Sequence, residues 1–238
     1  IDRPPLAEGG PVEVARAARA FNTMQSRLQR YIRDRTRILA AMSHDLKTPI
    51  TRLRLRSELL GDGELRTRFT RDLDEMESMV AATLDFLRGL ESGEAVQPID
   101  VTALLESLQA DLAETGGVVR IEGRAARAYP GRPQALKRCL SNLLENAIKY
   151  GKTATVRVED DATRLEISIA DEGPGLPDAE LERVFEPFYR TEQSRSRETG
   201  GTGLGLTIAR SVAEIHGGKI ALRNRPEGGL EARVTLPR

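Results

Sequence analysis

SHDLKTPI, residues Ser43 to Ile50, sets a histidine and a hydroxyl one helical turn apart and then a proline. At about 100° per residue from Leu39, the side chains of Met42, Leu46, Ile50, Leu53 and Leu60 fall in a stripe roughly 80° wide. His44 and Thr48 fall together on the opposite side, with Thr51 close by. A histidine satisfied inside a core would sit in the stripe. His44 is therefore either a reactive group held out for chemistry or a solvated surface residue.

Working outward, Val14, Ala17, Phe21, Met24, Leu28, Tyr31, Ile38 and Met42 follow alternating three- and four-residue steps, and Arg35 alone breaks the apolar seam. That pattern predicts a long helix that wants a partner helix; a charged, half-wet helix lying on a globular domain is the competing reading. After Met42 the next apolar position is Leu46, one residue later than the heptad predicts. A slip of this kind changes local supercoiling, and its place beside His44 predicts that a rotation of the upstream helix reaches the histidine. Downstream, Leu60-Gly61-Asp62-Gly63 is a turn signal. Phe69, Leu73, Met76, Val80, Leu87 and Leu90 then step as heptads, with Thr83 the polar seam position. Two helices with a short connection form an antiparallel hairpin. One hairpin buries too little; two make a four-helix bundle, so a homodimer is expected.

The whole chain narrows the field. Its 238 residues leave room for two modest domains. Lys+Arg and Asp+Glu both number 36, which argues against a nucleic-acid partner. The single cysteine, Cys139, excludes an internal disulfide framework and a Cys-rich zinc site, fits a reducing compartment, and reads as a small buried apolar residue on a helix. No apolar run approaches the ~20 residues of a membrane span, and no signal-peptide pattern is present. With Ile1 at its head, the chain is expected to be the cytosolic portion of something longer.

GLESGEAVQP, Gly89 to Pro98, lacks periodicity and reads as a linker. Beyond it the predicted elements are a helix over 101–114, a strand over 118–122, a helix over 133–150, strands over 153–159 and 164–171, a helix over 203–216, and strands over 219–224 and 230–236. That order predicts an α/β sandwich with a helical layer on one sheet face.

Three stretches of this second part carry chemistry. In NLLENAIKYG, Asn142 to Gly151, the residues Leu136, Leu140, Leu143 and Ala147 face inward, while Asn142, Asn146 and Lys149 cluster within roughly 60° on a neighbouring flank. Carboxamide oxygens can ligate Mg²⁺ and a lysine neutralises phosphate; a polar helix edge facing water has the same composition. Leu165, Ile167, Ile169 and Asp171 share one strand parity, so Asp171 points inward and needs a donor, either a ligand amino group or a nearby arginine. DEGPGL, Asp171 to Leu176, brings glycines that permit close approach. GGTGLGL, Gly200 to Leu206, precedes a helix and can cradle phosphate, yet is no Walker A loop because no Lys-Ser/Thr follows its last glycine. Between these clusters FEPFYR, Phe185 to Arg190, and a polar loop with Arg195 and Arg197 read as a cationic lid; a plain surface loop has the same composition.

Taken in order, these stretches resemble the sensor histidine kinases of two-component systems. SHDLKTPI is similar to their H box, NLLENAIKYG to the N box, DEGPGL to the G1 box, FEPFYR to the F box and GGTGLGL to the G2 box, most nearly in the EnvZ-like group. The leading GGPVEVARAARAFNTMQSRL resembles the second helix of a HAMP relay module. The resemblance implies a HAMP-like helix over 1–33, a dimerisation and histidine-phosphotransfer bundle over 34–92, a linker over 93–99, and an ATP-binding domain of the Hsp90/gyrase/MutL type over 100–238. By position it makes His44 the phospho-acceptor, Asp45 the acidic neighbour that takes its proton, and Thr48 the residue that orients water for dephosphorylating the partner. It gives Mg²⁺ to Asn146, lines the ATP site with Asn142, Lys149 and Tyr150, and has Asp171 read adenine. Gly173, Gly175, Gly201, Thr202, Gly203, Leu204 and Gly205 then shape the pocket, and Arg190 meets phosphate. The implied activity is ATP-dependent autophosphorylation followed by transfer to a response regulator receiver aspartate, with phosphatase activity besides. The implied setting is the cytoplasmic part of an inner-membrane receptor whose spans lie outside this sequence. An ATPase of the gyrase kind without phosphorelay is the alternative; its water-activating glutamate would stand where this chain has Asn142. His216, before Gly217 and Gly218, is explained by the helix end and is assigned no catalytic part.

Overall fold

The computed structural model describes residues 4–59, 61, 63–90, 94–191 and 202–238; the side chains of residues 32–45, 75, 82 and 84–90 lie outside the described set. The chain divides into two compact units, Ile1–Leu73 and Asp74–Arg238.

The first unit is built on α1, a helix of 46 residues over Val12–Ser57. It runs through Pro49, whose missing amide removes one helical hydrogen bond. The seam positions Val14, Phe21, Met24, Leu28 and Tyr31 are exposed, as are Leu46 and Leu53 of the stripe, whereas Ile50 is buried. Exposure of an apolar seam is what a helix shows when its partner is another chain. A different face is covered: Ala15 and Ala18 are buried, and Asn22, in helical register with both, clasps the segment before the helix. Leu6 N donates to Asn22 Oδ1 at 2.8 Å, and Asn22 Nδ2 donates to Leu6 O at 3.0 Å. The helix stops before the predicted turn, of which Leu60 and Asp62 lie outside the described residues, and α2 follows over Gly63–Leu90.

In the second unit, α3 spans Val101–Glu114 and is capped by Asp100, whose carboxylate accepts from Ala103 N at 3.0 Å. The sheet comprises β2 (Val118–Gly123), β4 (Thr153–Asp160), β5 (Arg164–Asp171), β7 (Leu230–Pro237) and β6 (Lys219–Asn224) in that spatial order. β2 runs parallel to β4 and the remaining pairs are antiparallel. Alternation along β5 buries Leu165, Ile167, Ile169 and Asp171, as their shared parity predicts. Against this face pack α3, α4 (Pro133–Gly151) and α5 (Gly205–Ile215), with Leu105, Leu136, Leu140 and Leu144 fully buried. Cys139 lies in that layer, and burial pushes its thiol up to about 12; it is inert filler, as the sequence reading has it.

Two short strands escaped the sequence reading. β1 (Gln97–Ile99), within the expected linker, pairs antiparallel with β3 (Tyr129–Gly131). Three residues carry too little periodicity to register. The linker also closes the start of α4: Glu94 accepts from Gln134 N at 2.7 Å and from Ala135 N at 3.2 Å. Those amides have no partner inside the helix, and Arg132 at the cap position supplies none from its side chain.

Two further ties hold this lobe. His216 Nε2 accepts from Arg132 N at 2.9 Å, which leaves Nδ1 to donate to Val212 O at 2.8 Å; the ring is a neutral strut, in line with a structural role. Arg238 donates to Asp160, to Ala128 O at 2.8 Å and to Arg127 O at 3.0 Å, and the Arg238 and Asp160 side chains are each 2% exposed.

Candidate active site

The stretches singled out in the second unit converge on one cleft. The flank of α4 meets the start of α5 where Asn142 Oδ1 lies 3.2 Å from the place a Cβ would occupy on Gly205. The end of α4 meets the 171–176 loop, since a Cβ on Gly173 would stand 2.9 Å from both Asp171 Oδ1 and Tyr150 O. The 185–190 segment meets the glycine cluster through Phe188 N, which donates to Gly203 O at 3.1 Å. Thr207 Oγ1 donates to Phe185 O at 2.9 Å and locks the same segment onto α5. Phe188 itself takes φ 64°, a left-handed backbone unusual for an aromatic residue. These contacts give the glycines a nearer task than ligand approach: they let the motifs touch one another. At Gly203, with φ 70°, a Cβ would stand 2.9 Å from the Phe188 backbone.

Within the cleft, Asn142 and Asn146 are half-buried, and neither carboxamide has a hydrogen-bond partner among the described residues. Two unpartnered amides on one helix flank are free to serve a ligand. Lys149 sits 5.1 Å from the Tyr150 ring centroid; burial lowers its pKa and the positive charge of Arg190 lowers it further. Two cations held near enough to repel create a positive end to the cleft, suited to a polyanion. Against Gly151 at the end of α4 lies the buried Asp171, whose Oδ1 accepts from Gly173 N at 2.8 Å and from Leu230 N at 3.1 Å. Arg225 bonds the main-chain oxygen of Asp171 and leaves the carboxylate alone, which excludes the simple arginine pairing considered from sequence. Burial raises the pKa of Asp171 against the pull of those two amides and of Arg225. Its Oδ2 has no hydrogen-bond partner among the described residues, so it can accept from a ligand's amino group.

Among the described residues no group of three or more His, Cys, Asp and Glu could hold a metal. A cation at Asn142 and Asn146 therefore requires oxygens from a bound ligand, as Mg²⁺ shared with phosphates does. α5 begins at Gly205, and Leu204 at its cap position supplies no side-chain hydrogen bond to its first amides. Thr202 is half-buried beside it. Leu204 is fully buried in the hydrophobic core, where it anchors the glycine cluster behind the cleft. The helix there starts two residues later than expected, because residues 203–204 turn to bring that leucine inward. Gly201, Arg195 and Arg197 lie outside the described residues.

On α1, Thr48 is exposed, on the side away from buried Ile50, as the wheel requires. The side chains of His44 and Asp45 lie outside the described residues. Sequence reasoning missed Asn224, Arg225 and Leu230, which reach Asp171 or its loop from the β6–β7 turn. NRPEGGL was legible as a turn from its proline and glycines, though nothing in it names what the turn packs against.

Residues 131–238 match the family described as histidine kinase-, DNA gyrase B- and HSP90-like ATPase, residues 34–90 the His Kinase A (phospho-acceptor) domain, and residues 2–30 the HAMP domain. Sensor histidine kinase GtrS of Pseudomonas aeruginosa is 47% identical over 233 residues, covering 98% of this chain and 48% of the relative. Sensor histidine kinase CpxA of Escherichia coli strain K12 is 33% identical over 244 residues, covering 98% of this chain and 53% of the relative. The chain thus spans about half the length of these curated relatives. Full-length ShkA, solved in complex with AMPPNP, superposes with a TM-score of 0.64 over 84% of this chain and 45% of that one; at 24% identity it bears on fold alone.

Proposed function

This chain belongs to the sensor histidine kinases, and on that premise we propose that it is the transmitter portion of a membrane receptor, an ATP-dependent autokinase that phosphorylates its own His44. The observation that carries the reading is the cleft in which unpartnered Asn142 and Asn146, cationic Lys149 and Arg190, and the open oxygen of Asp171 stand together. Its chemistry fits an adenosine triphosphate end to end: an acceptor for the exocyclic amine, amides for a metal, cations for the phosphates.

In this mechanism Asp171 Oδ2 accepts from the adenine amino group and sets the base in its slot. Asn146, with Asn142 beside it, would hold Mg²⁺, which would supply charge neutralisation at the phosphate oxygens. Lys149, Arg190 and the start of α5 hold the polyphosphate. Gly173, Gly175, Gly201, Gly203 and Gly205 keep the walls of the cleft in contact, and Thr202 completes its phosphate end, with buried Leu204 anchoring that end in the core behind it. His44, as neutral imidazole, uses its unprotonated ring nitrogen to attack the γ-phosphorus in line while the bond to the β,γ-bridging oxygen breaks and ADP leaves, and Asp45 takes the proton from the other nitrogen. The phosphoryl group then passes to an aspartate of a response regulator receiver domain. Thr48, exposed one turn from His44, orients a water for the reverse duty of dephosphorylating that partner.

The exposed seam of α1 and the hairpin pattern support a homodimer with a four-helix bundle over 34–92, a HAMP-like helix over 1–33, a linker over 93–99 and a catalytic domain over 100–238. A bare ATPase is disfavoured, because Asn142 stands where a hydrolase would need a water-activating glutamate, and relatives matching 98% of this chain are sensor kinases. The test is incubation with γ-labelled ATP and Mg²⁺. Acid-labile, base-stable label on the wild type and none on His44→Ala, with nucleotide binding retained, is expected. Release of free phosphate without protein label would transfer the chain to the ATPases.

A further inference from the structure

Behind the cleft, the β6–β7 turn grips the base-reading end of the site through its backbone and two side chains. Asn224 uses both edges of its amide: Oδ1 accepts from Leu176 N at 2.9 Å and Nδ2 donates to Leu176 O at 2.7 Å. That is the pairing a neighbouring strand would give, supplied here by one side chain. Nδ2 also reaches Asp178 Oδ1 at 3.1 Å. Gly175 makes the room, for a Cβ there would stand 2.7 Å from Asn224 Oδ1 at a φ of 72°. Arg225 Nη1 donates to Asp171 O at 2.8 Å, held in place by Glu227, which accepts from its Nε at 3.2 Å. Leu230 N completes the grip on Asp171 Oδ1 at 3.1 Å. One short turn thus touches both ends of the 171–176 loop.

We propose that Asn224 and Arg225 are positioning residues for nucleotide recognition: they hold the 171–176 loop and the Asp171 carboxylate in the geometry that binds the base. The proposal deepens the nucleotide reading above and rests on it. Neither residue touches the ligand; both act through Asp171 and the loop. Arg225 also has an electrostatic part, since its charge opposes the rise that burial imposes on Asp171. The other titratable groups around this carboxylate are Glu172 beside it, Glu227 on the turn, and Tyr150, whose main-chain oxygen meets Gly173. Arg225 is the one whose charge favours the ionised form.

The sign follows directly. A protonated Asp171 offers a poorer acceptor, so nucleotide affinity falls as pH drops through its raised pKa. Removing Arg225 lifts that pKa further and moves the fall to higher pH.

The experiment titrates a fluorescent ATP analogue, and its guanine counterpart, into the full chain and three variants between pH 5 and pH 8. Asn224→Ala should weaken the adenine analogue by about fivefold to tenfold, the scale of one or two lost hydrogen bonds, at near-normal thermal stability. Arg225→Gln should weaken it similarly and shift the acid limb upward, whereas Arg225→Lys, which keeps the charge, should restore the wild-type limb. The gap between adenine and guanine analogues should narrow in Asn224→Ala and Arg225→Gln. If Asn224→Ala does not fold, Asn224→Asp replaces it, keeping an acceptor for Leu176 N while losing the donor. Wild-type binding with affinity, pH limb and base preference unchanged in the variants overturns this proposal alone. A wild type that binds no adenine nucleotide overturns it together with the nucleotide reading.

Discussion

At the scale of single residues, what matters is whether a polar group has a partner. Asn142 and Asn146 have none among the described residues and are read as waiting for a ligand, whereas His216 has both ring nitrogens occupied and is read as structure. Thr48 belongs with the first kind, an exposed hydroxyl on a helix face away from buried Ile50. Thr48→Ala is expected to keep self-phosphorylation within about twofold and to slow partner dephosphorylation by at least about tenfold, as loss of a water-orienting group does. Equal loss of both activities, measured with a purified phospho-regulator, would contradict the division of roles. Arg238 belongs with the second kind. Arg238→Met would strand Asp160 as a buried unpaired charge and should cost about 3–5 kcal/mol at neutral pH, read from urea melts. Burial acts to raise the pKa of Asp160, but the bonds from Arg238 and the Ala126 and Arg127 amides win and hold it below 3.8. A depressed carboxylate contributes stability above its unfolded value and loses it as pH falls through the folded one. The gap between wild type and Arg238→Met should therefore narrow as pH falls through this depressed value, below the usual carboxylate range.

At the scale of elements, termini and turns carry more than their length suggests. α4 presents the Asn142–Lys149 flank, yet its own first turn depends on Glu94, forty residues before Gln134 and within the linker. A carboxylate at a helix start satisfies orphan amides and meets the positive end of the dipole. Glu94→Ala should lower the stability of the lobe by about 1 kcal/mol and speed hydrogen exchange at the amides of Gln134 and Ala135. Unchanged exchange at those two positions would show that the cap is not formed in solution. The helices and the longer strands were legible in the sequence because burial repeats at 3.6 or 2 along them, as Leu136, Leu140, Leu143 and Ala147 do on α4. β1 and β3 were not, since three residues pair through backbone alone. The start of α5 slipped for a related reason: glycines announce a turn without saying which residue first adopts helical backbone.

At the scale of the whole molecule, the exposed seam on α1 is a prediction about assembly. Phe21 and Leu28 are each 46% exposed although they occupy seam positions. Leu28→Glu should shift the chain from dimer toward monomer in sedimentation at micromolar concentration while leaving nucleotide binding within about twofold, because a charge in a helical seam is desolvated only on pairing. A wild type that sediments as a monomer, or a variant that remains fully dimeric, would refute the seam as the interface. The sequence by itself determined the order of the helices and longer strands, the burial of Asp171 and the identity of the chemical groups, because periodicity and residue type are local properties that one strand or helix expresses alone. Only the tertiary structure decided that Asp171 is held by Leu230 N and Arg225 instead of by an ion pair, that Leu204 turns into the core, and that Gly175 makes room for Asn224. Each of these is a meeting between segments far apart along the chain, and such meetings are set by how the packed layers fit, which no run of neighbouring residues encodes.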